Sequence, residues 1–219
     1  MLALVLNAPT LKENLELLER NRPYVSLAEL RVDMLRPSSL KAAASFPEKA
    51  GLPVILTCRR KSDGGAYTGT EERRKEILRD LSEGPFSYVD MEVDLNFPSL
   101  EYALMARGVD IIRSMHDFSG IPRDIPELAK VVSSCGEIPK IAVTLSSKAD
   151  YDEFVRISGL LSAIPRKILI GMGKFGSETR LHYRELGSML TYCSESDPGN
   201  VGLPSPGELL NKINRLYNM

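Results

Sequence analysis

The stretch EIPKIAVTL, Glu137 to Leu145, decides how the chain is to be read. Successive side chains of a strand point to opposite faces. Ile141, Val143 and Leu145 therefore share one face, and Lys140 shares the other with Ile138, Ala142 and Thr144. In a two-layer antiparallel sheet the polar face would meet water. In a parallel barrel the apolar face would pack on helices and the other would turn inward, amine included. The rest of the chain selects between these two.

Apolar runs of strand length recur at residues 2–6, 27–32, 53–58, 87–93, 109–115, 138–145, 167–172 and 186–192. Helical patterns lie between them. TLKENLELLERN opens with Thr10 and Glu13 at capping-box spacing. TEERRKEILRDLSEG and PSLEYALMARG end at Gly84 and Gly108, both suitable helix stops. SKADYDEFVRISGLLSA and the closing PGELLNKINRLYNM are helical as well, whereas RPSSLKAAASFPEKAG (residues 36–51) is ambiguous. Eight strands alternating with helices describe an (βα)8 TIM barrel or a doubly wound sheet. No GxGxxG follows the first strand, which removes the main support for a dinucleotide-binding sheet, and GMGKFG (171–176) lacks Walker A spacing. The expectation from the alternation is an α/β fold, either a (βα)8 TIM barrel or a doubly wound sheet, in a single domain over residues 1–219, because no linker-like break interrupts it.

With 219 residues, 43% of them hydrophobic and 26% charged, the composition suits one well-packed core. A net charge of −1 gives no sign of a nucleic-acid or membrane partner. The apolar start MLALVLNAPT is too short for a signal or spanning segment. Cys58, Cys135 and Cys193 are an odd number without metal-type spacing, which reads as reduced thiols and a cytoplasmic location, with no metal site.

Several strands carry charge on one face: Glu29, Arg31 and Asp33 in the second, Asp90, Glu92 and Asp94 in the fourth, and Ser114 with His116 at the fifth. Inside a barrel such groups either pair with one another or serve a site at the C-terminal mouth. For Glu29, Arg31 and Glu92 both remain open. A buried Lys140 could be an ion-paired core lysine, which the alternation by itself favours. It could instead be a desolvated amine acting as a nucleophile toward a ketone. His116, expected just past the fifth strand, is either a loop or capping histidine or a proton shuttle. His182 reads as structural.

Together these pieces resemble type I 3-dehydroquinate dehydratase (type I dehydroquinase), the Schiff-base family of the shikimate pathway. The motifs are ELRVD (29–33), TCRRKSDGG (57–65), DMEVD (90–94), SMHDF (114–118), IPKIAV (138–143), MGKFGSETR (172–180) and PSPGE (204–208), in the family's order and over nearly the whole chain. The resemblance implies a (βα)8 barrel that eliminates water from 3-dehydroquinate, needing neither metal nor organic cofactor. It implies Lys140 as the Schiff-base lysine and His116 as the general acid/base. Asp63 stands where the family has the glutamate that orients the histidine, one methylene shorter. Glu29, Arg31 and Arg59 match substrate contacts, and Arg180 matches the arginine on the substrate carboxylate. The last loop departs from the family's Ser-x-Pro-Gly-Gln: Pro204 takes the place of the serine, leaving Ser205 to supply a hydroxyl or backbone group, and Glu208 replaces the glutamine. Family members are often homodimers, though the chain shows no separable interface signal. The rival expectations are another Schiff-base barrel, such as an aldolase, and a barrel that binds a polyol carboxylate without turning it over.

Overall fold

The computed structural model describes residues 1–195 and 203–218. In chain order the regular elements begin β1 (Leu2–Leu6), α1 (Leu11–Asn21), β2 (Leu27–Arg31), α2 (Pro37–Leu40), α3 (Phe46–Ala50), β3 (Val54–Thr57), α4 (Glu71–Leu81) and β4 (Tyr88–Glu92). They continue with α5 (Pro98–Ala106), β5 (Asp110–Asp117), α6 (Ile125–Ser134), β6 (Ile138–Thr144), α7 (Lys148–Leu160), β7 (Ile168–Met172), α8 (Gly176–Leu181), β8 (Thr191–Cys193) and α9 (Pro206–Tyr217). The strands form one sheet in the order β7-β6-β5-β4-β3-β2-β1-β8. The chain divides into two compact units, Leu4–Ile112 and Arg113–Met219, the latter with Met1–Ala3. Among the described residues no helix is long and apolar enough to cross a membrane.

Within Leu4–Ile112, β2, β3 and β4 pair in parallel, with Glu29 opposite Ile55, Arg31 opposite Thr57, and Thr57 opposite Asp90. Thr10 caps α1 by accepting from the Glu13 amide at 3.2 Å. The expected capping box is only half made, because the Glu13 carboxylate bonds the Thr10 hydroxyl, at 2.6 Å, instead of its backbone. Thr70 caps α4 in the same way, accepting from the Arg73 amide. The ambiguous stretch resolves into α2, a 3-10 turn over Lys41–Ser45, and α3, with prolines near the starts of both short helices. Gly108 follows α5 in the left-handed conformation, as a helix stop does. Gly84 is not such a stop. The helix before it ends at Leu81, and a Cβ at Gly84 would lie 1.9 Å from the Ala44 carbonyl oxygen, so what Gly84 provides is close backbone approach.

Within the second unit, Ile141, Val143 and Leu145 pack with Ala129 of α6, Phe154 and Ile157 of α7, and Leu169 of β7. The apolar face of EIPKIAVTL therefore meets the helices, and Lys140 lies on the opposite face of β6. Ser147 and Asp150 form a complete capping box at the start of α7. Three sequence boundaries shift. β5 runs on to Asp117, so His116 lies within the strand and not past it. β8 begins only at Thr191. Gly187 before it has a positive φ, and the Ser188 hydroxyl accepts from the Leu169 amide and donates to the Leu190 carbonyl, bonds that take the place of a ladder. α8 stops at Leu181, leaving His182 at its C-terminal end with Nδ1 2.7 Å from the Glu185 carboxylate.

Candidate active site

Glu29, Arg31, Arg59 and Asp63 belong to the unit Leu4–Ile112. The register of β2, β3 and β4 puts Glu29, Thr57 and Asp90 on one face, and the Thr57 hydroxyl donates to Glu29 at 3.0 Å. Arg59 leaves β3 two residues past its end and is 3% exposed. Its guanidinium reaches Asp90 at 2.8 Å and Glu92, the last residue of β4, at 2.9 Å. Burial opposes the charge on Arg59, but Asp90, Glu92 and Glu29 more than offset it and hold the guanidinium firmly protonated. The ion-pair reading of Glu92 is thus realised. Arg31 ends β2 and forms two parallel bonds to Asp33, at 2.9 and 2.6 Å; against the cost of burial this pairing raises its pKa above the usual arginine value.

The loop TCRRKSDGG is tied to the same framework. The Ala66 amide donates to Asp33 at 2.9 Å, the Tyr67 amide to the Arg59 carbonyl at 3.1 Å, and the Gly65 amide to the Arg60 carbonyl at 3.0 Å. Asp63 ends a 3-10 turn over Lys61–Asp63. Its Oδ2 accepts from Arg60 at 2.5 Å and from the Ser62 hydroxyl at 2.8 Å. Burial alone would push this carboxyl up, and the bonds from Arg60 and Ser62 bring it below the ordinary carboxylate range. Arg60 also bonds Asp94, at 2.6 Å.

His116, Lys140, Arg180, Ser205 and Glu208 belong to the other unit. Lys140 is 4% exposed, and its Nζ stands 4.6 Å from the centre of the Tyr192 ring, within cation–π range. His116 is half-buried, with its Nδ1 shielded from water, as is the Tyr192 hydroxyl. Arg180, on α8, is 3% exposed, and its Nη1 donates to the carbonyls of Gly171 at 2.7 Å and Gly176 at 2.9 Å, which fixes the turn out of β7. Ser205 stands at the N-terminal end of α9 and makes no side-chain capping bond to a helix amide. Glu208 is exposed and pairs with Lys212 at 2.7 Å, which lowers its pKa. Among the described residues no group of three or more His, Cys, Asp or Glu could hold a metal ion.

Two side chains escaped the sequence reading. Arg74 of α4 is fully buried; it donates to Glu92 at 2.6 Å and to the Cys58 carbonyl at 3.0 Å, and holds Glu71 by two bonds. Its signal was present, since Arg74, Ile77, Leu78 and Leu81 follow the i, i+3, i+4, i+7 spacing of a buried stripe. Tyr192 had no such signal, because it sits in a strand of three residues whose limits were misplaced.

The family model described as type I 3-dehydroquinase matches residues 2–219. A 3-dehydroquinate dehydratase of Aquifex aeolicus is 32% identical over 226 residues, covering 99% of this chain and 100% of that protein. One of Methanococcus maripaludis is 32% identical over 202 residues, covering 87% and 89%. The crystal structure of the 3-dehydroquinate dehydratase from Aquifex aeolicus VF5 superposes over 100% of both chains with a TM-score of 0.84 and 29% identity. The fold is the (βα)8 TIM barrel of that structure, as the family resemblance implied and as one of the two folds the strand alternation had left open.

Proposed function

The chain belongs to the type I 3-dehydroquinase family, and on that premise we propose how it removes water from 3-dehydroquinate to give 3-dehydroshikimate, a carbon–oxygen lyase step of the shikimate pathway. The observation that carries the reading is the position of Lys140: an amine buried on the face of β6 opposite the helix-packed one, against the ring of Tyr192. Supporting it, Glu92 closes β4 and His116 lies one residue from the end of β5, the strand ends where barrel enzymes carry their chemistry.

The neutral Lys140 amine adds to the C3 ketone, and loss of water leaves an iminium that withdraws electrons from C2. His116 takes the C2 proton, and the electron pair moves into the iminium to form an enamine. The enamine expels the C1 hydroxyl, which leaves as water with the proton His116 returns. A second water hydrolyses the product iminium and frees Lys140, so one water is lost overall. Asp63 orients the imidazole, and its bonds to Arg60 and Ser62 favour the ionised carboxylate that this needs. Arg180 holds the substrate carboxylate, Glu29, Arg31 and Arg59 contact the substrate, Ser205 supplies it a hydroxyl or backbone group, and Glu208 bonds a substrate hydroxyl. The loop around Gly64 and Gly65 acts as the lid.

We also read residues 1–219 as one catalytic domain, since the family model spans both compact units. A cytoplasmic homodimer with no nucleic-acid partner is the assembly this reading carries.

Borohydride trapping tests the covalent step. Reduction during turnover of 3-dehydroquinate adds a ligand-sized mass to the wild-type chain at Lys140, and Lys140→Ala, still folded, gives neither adduct nor the rising absorbance of the conjugated product. His116→Ala forms the adduct but turns over slowly. An adduct mapping elsewhere, or carbon–carbon cleavage in place of dehydration, overturns the mechanism.

A further inference from the structure

Among the described residues one arginine without a part in the proposed chemistry lies fully buried on a helix, Arg74. Arg74 occupies a core position of α4 and its side chain has no exposure to solvent. Its Nη1 serves two acceptors: the carbonyl of Cys58, the residue immediately before Arg59, at 3.0 Å, and Oε2 of Glu92 at 2.6 Å. The other oxygen of Glu92 accepts from Arg59 at 2.9 Å. A single carboxylate thus lies between two guanidiniums, and Arg74 holds both the backbone leading into Arg59 and the anion facing it.

The charges decide what this arrangement does. Within the bonded set Arg59, Arg74, Asp90 and Glu92, all buried, the formal charges sum to zero, and buried Glu29 adds a further negative charge that acts on Arg59 with or without Arg74. Glu71, which also pairs with Arg74, is 37% exposed and is screened by water. Without Arg74, the buried surroundings of Arg59 would be more negative by one charge. An anionic substrate approaching Arg59 would then be repelled at low effective dielectric, where unit charges several ångströms apart still interact by more than the energy of a tenfold change in binding.

We infer that Arg74 is a positioning residue for the dehydration: by taking up the charge of Glu92 and holding the Cys58 carbonyl, it offsets one buried negative charge beside Arg59, so that the surroundings of Arg59 accept an anionic substrate. This rests on the reading of Arg59 as a substrate contact given above.

The test is steady-state kinetics at low ionic strength on Arg74→Met, Arg74→Met/Glu92→Gln and Arg59→Lys, with thermal unfolding of each. Arg74→Met raises KM for 3-dehydroquinate about tenfold or more, lowers kcat far less, and still traps with borohydride at Lys140. The added Glu92→Gln removes the carboxylate that Arg74 balanced and brings KM most of the way back. If the folded Arg74→Met protein keeps its wild-type KM, or if the double variant regains stability but not KM, Arg74 is only structural and the inference fails. Where Arg74→Met does not fold, Arg74→Lys keeps the charge with fewer bonds; it loses thermal stability while holding KM near wild type, and a tenfold rise in its KM overturns the charge argument. Arg59→Lys separates the two levels. If it raises KM while Arg74→Met does not, only the present inference falls. If it leaves KM unchanged, the assignment of Arg59 falls and the inference goes with it.

Discussion

Gly65→Ala tests whether the framework of the Gly-rich loop is what the function depends on. A Cβ at Gly65 would stand 2.0 Å from the Arg59 carbonyl oxygen, 2.4 Å from the Arg59 carbonyl carbon and 2.6 Å from the Arg59 Cβ. None of these is the end of a flexible side chain. Ordinary contact begins at 3.4 Å, so the loop and the chain leaving β3 must part by about 1.4 Å. Three bonds stand in the way: Gly65 to Arg60, Tyr67 to the Arg59 carbonyl, and Ala66 to Asp33. Overpacking of this kind costs about 1–3 kcal/mol, and a lost bond to a charged group about 1.5–3 kcal/mol. Local release of the loop caps the sum, so we expect about 2–4 kcal/mol and, for a chain of this size, a fall in Tm of roughly 5–15 °C. Arg59 and Asp63 move with the loop, and a displacement of about 1 Å costs on the order of a hundredfold in rate. The assay is the absorbance of 3-dehydroshikimate together with a thermal melt. Gly159→Ala is the control: nothing lies within 4 Å of its added Cβ, and within α7 the change stabilises by about 0.5–1 kcal/mol without touching activity. A Gly65→Ala protein with wild-type Tm and kcat/KM would refute the reasoning.

The folded-state pKa of Asp63 is depressed, so its charge contributes stability in full above the unfolded value near pH 4 and loses it as pH falls through the folded value. Asp63→Asn therefore lowers Tm at pH 7, and the gap to wild type closes on acidification below about pH 4; a gap that persists in acid would mean that shape, not charge, is at work. The same variant slows turnover, because an amide cannot act as the orienting anion, and an unchanged kcat removes that role. Burial pushes the thiols of Cys58 and Cys193 up to about 12, while Cys135 is exposed. A thiol reagent at pH 8 should titrate one group in the native protein and three in denaturant; rapid reaction of a second native thiol would contradict the burial.

The legible part of the fold was its periodicity. The alternation of Ile141, Val143 and Leu145 against Lys140 survives from β6 into the residue after it, where the first three meet α6 and α7 and the lysine, on the other face, stands by the ring of Tyr192. Seven of the eight expected strands lie within a residue or two of their limits, because apolar runs and helix caps are local signals. The eighth did not, because Gly187 and the side-chain bonds of Ser188 compete with the ladder, and such bonds depend on which backbone groups come within reach. His116 moved into β5 for a related reason: a polar residue extends a strand when its neighbours hold it there, whatever its own preference.

From the sequence alone came the order of elements, the seven motifs and the residue types able to do the chemistry, since each is a property of short stretches of chain. The tertiary structure decided which charges meet. Glu92 could have faced a ligand or an ion pair; packing placed it between Arg59 and Arg74. The pairing of Arg31 with Asp33, which in turn holds the Ala66 amide, is likewise a product of the fold. Lys140 could have had a carboxylate or an aromatic ring beside it; it has at least the ring of Tyr192, from a strand about fifty residues away. Ion pairs and cation–π contacts form between residues distant in sequence, and their strength depends on burial that only the folded chain creates.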